Sequence, residues 1–486
     1  MRTMRLTGFI LLLACCGLAQ AGEVVPRPIA LRELPLLFAD DGGIAMRTNV
    51  TRALHPARTR SAPVLEADQP WEASRVYVYG SVYFDEATHQ LRLWYMSRAQ
   101  AFKGDAVLYA TSADGVHWLK PALGLHAFAG TQTNNIVFGI HSPSVLLDRR
   151  EPDPAKRYKL LGSGTGGYHA AFSADGLHWT RYASNPVLKF GDTITLAQDP
   201  ATGEYLAYHK RPATVRGFGR RVVWLARSRD FQTWTEPELV FAPDAADDAW
   251  AAAPQQRTEV YNMSVFPHAA GFIGLPTMFR VTAARRPKAG LTPGQSPDDG
   301  PIEVQLATSP DGRAWQRTEP RLNMIGCGAP GTFDGGAILG VSSTSVDVGD
   351  ETWVYYTALT TTHGGALPAK RLSIGRAEWR RHGFVSLDAG AAVGRIETKP
   401  VHCGAAALIL NADASRGQVR VALLEADGRP MPGCSLADCT PLTADATRWV
   451  VRWQNAANVP TNRPVRVVVE LTNARLFSLA SDTPRP

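Results

Sequence analysis

The sequence predicts an all-β fold, a five-bladed β-propeller followed by a C-terminal antiparallel β-sandwich. Three observations carry that expectation. The first is a stretch that returns. Ser112-Ala-Asp-Gly-Val-His-Trp118 comes back as Ser173-Ala-Asp-Gly-Leu-His-Trp179, as Ser309-Pro-Asp-Gly-Arg-Ala-Trp315 and, without its glycine, as Ser228-Arg-Asp-Phe-Gln-Thr-Trp234. Each copy follows a short apolar run, so it reads as strand, tight turn, strand. Glycine permits a positive φ there, and the Asp side chain bonds its own backbone. The tryptophans lie 61, 55 and 81 residues apart, which suits one four-stranded blade plus loops. The second observation is composition: 43 Gly and 34 Pro are spread along 486 residues, with no long amphipathic helical pattern. The third is a change after Gly394 to mostly longer alternating strands, Gln418-Val-Arg-Val-Ala-Leu-Leu424 and Val465-Arg-Val-Val-Val-Glu-Leu471 among them.

Residues 1–21 stand apart from the rest. Arg2 and Arg5 precede the apolar Phe9-Ile-Leu-Leu-Leu13, and Ala19-Gln-Ala21 offers a small-residue cleavage site, so they read as a secretory signal. The competing lipoprotein reading, Leu12-Leu-Ala-Cys15, is weakened by Leu13. The expected location is periplasmic or extracellular. No apolar run reaches membrane-spanning length. Removing residues 1–21 takes two of the 51 Lys and Arg and none of the 44 Asp and Glu, which leaves a net charge of +5. That charge is scattered, and no nucleic-acid motif accompanies it. Cys327, Cys403, Cys434 and Cys439 remain, with a spacing that fits no zinc site. Three pairings are open to them, and the short interval from Cys434 to Cys439 predicts a disulfide closing a small loop.

Residues 22–75 form a Pro- and Arg-rich lead-in expected to pack on the propeller, which spans 76–394; the sandwich takes 395–486. The blades are counted by their first strands. They start at Val76, Ser142, Asp192, Glu259 and Asp334, and the fifth closes with Leu372–Arg376 and Phe384–Leu387. A charged insertion from about Thr282 to Gly300 accounts for the 81-residue interval.

In a propeller the first strand of each blade lines the central channel, so a polar residue at its head points to a shared cavity. Asp192, Glu259 and Asp334 occupy that position in three blades. Three converging carboxylates suit glycosidic cleavage, which needs an acid, a base or nucleophile, and a group that orients them. The plain alternative is that strand-head acids cap turns.

The blade count, the Ser-x-Asp-Gly-x-x-Trp turns and the C-terminal sandwich resemble the arabinanase, levansucrase and invertase superfamily of glycoside hydrolases. Phe38-Ala-Asp-Asp41, Trp71-Glu72, the stretch Tyr109 to Gly124, Asn134-Asn-Ile-Val137, Gly191-Asp-Thr193 and His382-Gly-Phe-Val-Ser386 resemble, in that order, a group of exported bacterial proteins described as glycosyl hydrolases. The resemblance implies Glu259 as general acid and Asp192 as the group that orients it. It also implies a blade-one Asp as base or nucleophile, yet blade one offers Gly80 and Ser81. Glu72 is the first substitute, followed by Asp41, its neighbour Asp40 and Asp334. The resemblance makes His363 a pocket residue, with no metal or cofactor assigned. His141, Tyr168, His169 and Tyr261 are candidates for holding sugar, and each also reads as ordinary packing. Lys210, Arg211, Arg220 and Arg221 suit a sulfate or uronate, or simply a solvated loop.

The function expected is a secreted glycoside hydrolase acting on a poly- or oligosaccharide. The rival from another class is a catalytically silent carbohydrate-binding propeller, motivated by the missing blade-one Asp. A sialidase-like enzyme ranks below both, because no arginine cluster for a carboxylate is evident and the repeat spacing differs.

Overall fold

The computed structural model describes residues 29–32, 34–98, 105–454 and 458–481. The expected signal segment lies outside the described residues. The chain is all-β, with its strands in seven sheets. Helical turns among the described residues, such as Pro70–Glu72 and Ala246–Asp248, span three residues each.

Five sheets of four or five strands follow one another along the chain. Sheet one runs from Val76–Tyr77 to Ile136–Gly139, sheet two from His141–Leu147 to Leu188–Lys189, and sheet three from Ile194–Gln198 to Glu238–Phe241. Sheet four runs from Arg257–His268 to Gln316–Arg317. Sheet five holds Ala337–Val341, Val346–Val348, Glu351–Leu359 and Leu372–Arg380. Pairing within each is antiparallel, and alternate side chains are buried against neighbouring sheets. Trp94 with Leu160 fills the space between sheets one and two, and Tyr168 with Phe231 that between two and three. Tyr208 with Phe272 lies between three and four, and Leu275 with Tyr356 between four and five. The fifth cluster, Tyr95 with Tyr355, joins sheet one to sheet five. The order of contact is therefore cyclic.

The repeated motif supplies part of that contact. Ser112 Oγ accepts from the backbone N–H of Asp114 and Gly115 at 3.3 and 2.8 Å, while Asp114 Oδ1 accepts from those of Val116 and His117, both at 2.8 Å. The same bonds recur around Ser173 and Asp175. The turn is thus wider than a tight hairpin, with Thr111 bridging Leu119 across it, and two side chains satisfy its amides. The Gly115 carbonyl accepts from Tyr355 Oη of sheet five at 3.1 Å, that of Gly176 from Trp94 Nε1 of sheet one at 2.6 Å, and that of Gly312 from Tyr208 Oη of sheet three at 2.9 Å. Each turn latches onto the sheet before it. In the copy lacking glycine, Phe231 takes φ +64° with its ring fully buried. Gly115 sits at φ +70°, and a Cβ there would lie 2.5 Å from Tyr355 Oη and 2.7 Å from the Trp353 ring. Gly115→Ala should therefore lower stability by about 1–3 kcal/mol, read from a chemical unfolding curve.

The other two sheets have six strands each and draw on both ends of the chain. One joins Ile29–Leu31 and Ile44–Thr48 to Gly394–Thr398, Val401–Cys403, Gln418–Glu425 and Val465–Thr472. Its partner joins Leu36–Leu37 and Thr51–Leu54 to Val385–Ala389, Leu408–Asp413, Asp445–Val450 and Ala474–Ser481. A single apolar cluster, including Leu36, Leu410, Val421 and Leu476, is shared between them. The lead-in, expected to pack on the propeller, gives four of its strands to these two sheets. One expectation needs correction. Residues 384–387 do not close sheet five: Val385 pairs with Leu54, and Arg58–Thr59 pairs with Ala377 and Glu378 as the outer strand of sheet five.

The expected Cys434–Cys439 disulfide is absent, and Cys327, Cys403, Cys434 and Cys439 are all free. The intervening residues are tied by Ser435 and Asp438, whose side chains and amides bond each other. Cys439 Sγ turns to the Val421 N–H at 3.3 Å. Burial raises all four thiols, Cys327 to about 12 and Cys403 to about 11. A thiol reagent should leave Cys403, Cys434 and Cys439 unmodified in the native protein and label them in denaturant without prior reduction.

Candidate functional site

A cavity of about 380 Å³ opens where the leading strands of the five sheets, or the residues just ahead of them, come together with loop residues 293–296 and 363–370. Its walls are built from alternation. Arg75, Tyr77 and Tyr79 sit at every second position and all three line it. The Tyr77 and Tyr79 rings stack with centroids 5.7 Å apart. Arg98 stands beside Arg75 because Ser97 pairs with Val76. His141, Asp192, Tyr261, Gln295, Ser296, His363 and Lys370 complete the polar lining.

Asp192 precedes its strand by two residues, and its carboxylate side chain is 47% exposed. Its loop is fixed by Tyr168, whose Oη accepts from the Asp192 N–H at 3.1 Å and donates to the Thr193 carbonyl. Oδ1 accepts from the Thr193 N–H at 2.9 Å and lies 3.1 Å from Lys210 Nζ and 4.0 Å from His141 Nε2. Among the described residues no group bonds Oδ2. Burial pushes the carboxyl up, but the Lys210 ammonium and then His141 outweigh it and hold it below the usual range. Lys210 itself sits over the Tyr261 ring, 3.6 Å from its centroid.

His141 is oriented from behind, since its Nδ1 bonds the Asp105 carboxylate and leaves Nε2 toward Asp192. His363 is packed against the Tyr261 and Phe279 rings, and its Nδ1–H donates to the Asp298 carbonyl at 2.9 Å. Burial lowers His363 to about 3, so the ring is neutral. Among the described residues no cluster of His, Cys, Asp and Glu is arranged to hold a metal ion.

The other expected carboxylates do not meet Asp192 in this cavity. Glu259 is the third residue of its strand, 1% exposed, and borders an adjoining cleft of about 300 Å³ that also reaches Asp192. Its oxygens are occupied: Oε2 by Arg221 at 2.5 Å, Oε1 by Arg257 at 2.7 Å. Asp298, fully buried, bonds the same two arginines and Arg285. A general acid must offer an O–H to the leaving oxygen, whereas both oxygens of Glu259 accept from guanidinium. Asp334 is buried and bonded by Tyr356 Oη and Thr332 Oγ1, both at 2.9 Å. Glu72 is fully buried; it accepts from Tyr95 Oη, Lys120 Nζ and the Asp68 and Gln69 amides. Asp41 lies in the six-stranded sheets' region, ion-paired with Arg47 and Arg52. His169 bonds the Thr165 carbonyl in its own hairpin and is not part of the cavity lining.

The residues the sequence left unassigned are Arg75, Tyr77, Tyr79, Arg98, Asp105 and Lys370. Arg75-x-Tyr77-x-Tyr79 held a legible signal, the period of two that puts all three on one strand face.

No family model matches the chain, and no curated protein matches it. Among solved structures it is similar to an N-acetylgalactosamine deacetylase from F. plautii in complex with blood group B trisaccharide, at 17% identity, 68% of this chain, 96% of that one and a TM-score of 0.43. It is similar to a glycosyl hydrolase from Bacteroides ovatus at 12% identity, 68% and 94% coverage and a TM-score of 0.40. It is also similar to an exo-β-1,3-galactanase from Phanerochaete chrysosporium at 10% identity, 88% and 99% coverage and a TM-score of 0.34.

Proposed function

We propose that the five successive sheets are the blades of a propeller, that the two six-stranded sheets form a sandwich beside it, and that the cavity holds a saccharide whose glycosidic bond is cleaved there. The cyclic contacts support the first part and the shared apolar cluster the second. The observation that carries the third is the array Asp105–His141–Asp192 at the cavity wall. Asp192 is anionic with a free Oδ2, and His141 presents Nε2 beside it. A carboxylate with one oxygen open, faced by an imidazole held in line from behind, supplies both a nucleophile and a proton donor.

In this reading the Asp192 carboxylate attacks the anomeric carbon while His141 Nε2–H protonates the leaving oxygen. His141 then draws the proton from the water that releases the sugar. At 4.0 Å, His141 Nε2 and Asp192 Oδ1 leave no room for a water between them, which favours direct attack. Asp105 and Tyr168 are positioning residues. The stacked Tyr77 and Tyr79 offer an aromatic face to the sugar ring.

A second reading, a silent saccharide-binding propeller, is favoured by one fact: Asp192 is the only carboxylate lining the cavity among the described residues. Incubation of the purified protein with plant and algal glycans, followed by product chromatography and calorimetry, separates the two. Products support the hydrolase, binding without products supports the silent propeller, and neither result ends both. Export remains part of the proposal on the strength of Arg2, Arg5, the apolar run and Ala19-Gln-Ala21; the mature chain should then begin at Gly22.

A further inference from the structure

We infer that the cavity selects an anionic saccharide unit, bearing a uronate carboxylate or a sulfate ester, through Arg75, Arg98 and Lys370. The inference rests on the saccharide reading above and adds the charge of the ligand. Four cationic side chains stand in or against the cavity; Lys210 is matched by Asp192, and Arg98 shares the Asp105 carboxylate with His141. Among the described residues no carboxylate comes within ion-pair distance of Arg75 or Lys370. Arg98 Nε lies 3.8 Å from Asp105 Oδ1 while His141 bonds Oδ2, so a single carboxylate serves both groups.

Buried cations without counter-ions are unfavourable, and a protein retains them where something else supplies the charge. Arg75 Nε is buried with no hydrogen-bond partner. Lys370 is 7% exposed; its Nζ donates to the carbonyls of Gly294 at 2.9 Å and His363 at 2.6 Å, which leaves one of its three N–H groups. The wall formed by Arg75, Arg98 and Lys370 is therefore donors only. A neutral sugar hydroxyl is served equally by donors and acceptors, whereas carboxylate and sulfate oxygens accept only and fit a guanidinium in a bidentate manner. Tyr77 and Tyr79 border the same wall, so a stacked pyranose would carry its charged substituent to the arginines. Burial and then the adjacent Arg75 push Lys370 down to about 8, with Asp299 opposing and Arg98 and Arg286 adding to the fall. Preference for the anion should accordingly weaken as pH rises through about 8.

The test is a glycan array of paired probes: oligouronides with their methyl esters, and sulfated oligosaccharides with their desulfated counterparts, followed by calorimetry on the best pair. The charged member should bind about tenfold tighter or more, and added salt should shrink the difference. Which pair shows the larger ratio tells carboxylate from sulfate. Arg75→Gln should bring the two members close to equal affinity; if that variant melts abnormally, Arg98→Gln gives the same readout at a more exposed position. Equal affinity for charged and neutral members in the wild type overturns the inference and leaves the saccharide reading standing. Binding to no probe overturns both.

Discussion

Glu259→Gln should unfold this protein at a lower temperature before it reveals anything about turnover. Glu259 and Asp298 are buried among Arg221, Arg257 and Arg285, two negative charges against three positive ones. Gln keeps the shape and one acceptor oxygen but removes the charge, so three guanidinium groups would face Asp298 alone. Removing one partner of a buried ion pair typically destabilises by about 3–5 kcal/mol, because the remaining charge stays desolvated. Differential scanning calorimetry should show a melting transition lower by several degrees or more. An unchanged transition with turnover reduced about 10²–10⁴-fold would instead restore Glu259 as the general acid. The same cluster sets an acid limit. Burial pushes Asp298 up, but Arg221, Arg285 and Arg257 outweigh it and hold its carboxyl below the ordinary range. A carboxyl depressed in the folded state adds stability that is complete above its unfolded value of about 3.9 and is lost as pH falls through the folded one. Stability should therefore fall away below about pH 4, and Asp298→Asn should flatten that fall.

The arrangement around Glu259 shows how far the sequence reaches. Its place near the head of a leading strand was legible, because strand starts follow from apolar runs and turn residues. Its neutralisation was only partly so. Arg257 stands two residues before Glu259 on the same strand face, a local signal of an ion pair rather than a free acid. Arg285 and Asp298 come from the insertion at 282–300, which reads as a charged loop and in fact folds back over the cluster. The turn motifs were legible for the opposite reason, since the side-chain bonds that shape them are local: those of Ser112 and Asp114 reach no farther than three residues. What they dock onto was not, because Tyr355 lies 240 residues from Gly115. The outer strand of sheet five was out of reach in the same way: two residues at 58–59 pair with 377–378, and no local pattern specifies so distant a partner. Tyr168 was expected at a sugar; it is fully buried and acts one step behind the site, by holding the Asp192 backbone.

Asp192→Asn should abolish most of any cleavage while leaving the fold intact. The side chain is half exposed, and its contacts to the Thr193 amide and Lys210 fall on one oxygen, which the Asn carbonyl retains. Lys210 keeps its place over the Tyr261 ring. The loss is chemical: the amide oxygen is a poor nucleophile and base, so kcat should drop by at least the roughly 10²–10⁴-fold that one acid–base group contributes. Because the carboxyl is held below the usual range, the acid limb of the wild-type rate should lie at low pH, where Asp192 takes up a proton. Binding should move the other way. Asp192 is the only carboxylate lining the cavity among the described residues, so its removal leaves Arg75, Arg98 and Lys370 less opposed. An acidic oligosaccharide should then bind the variant at least as tightly as the wild type, and the damage should appear in kcat rather than in KM. Near-normal turnover in Asp192→Asn would remove the carboxylate from the mechanism. A wild type that binds the oligosaccharide without cleaving it, together with a variant that binds it more tightly, would assign Asp192 to tuning affinity in a silent propeller.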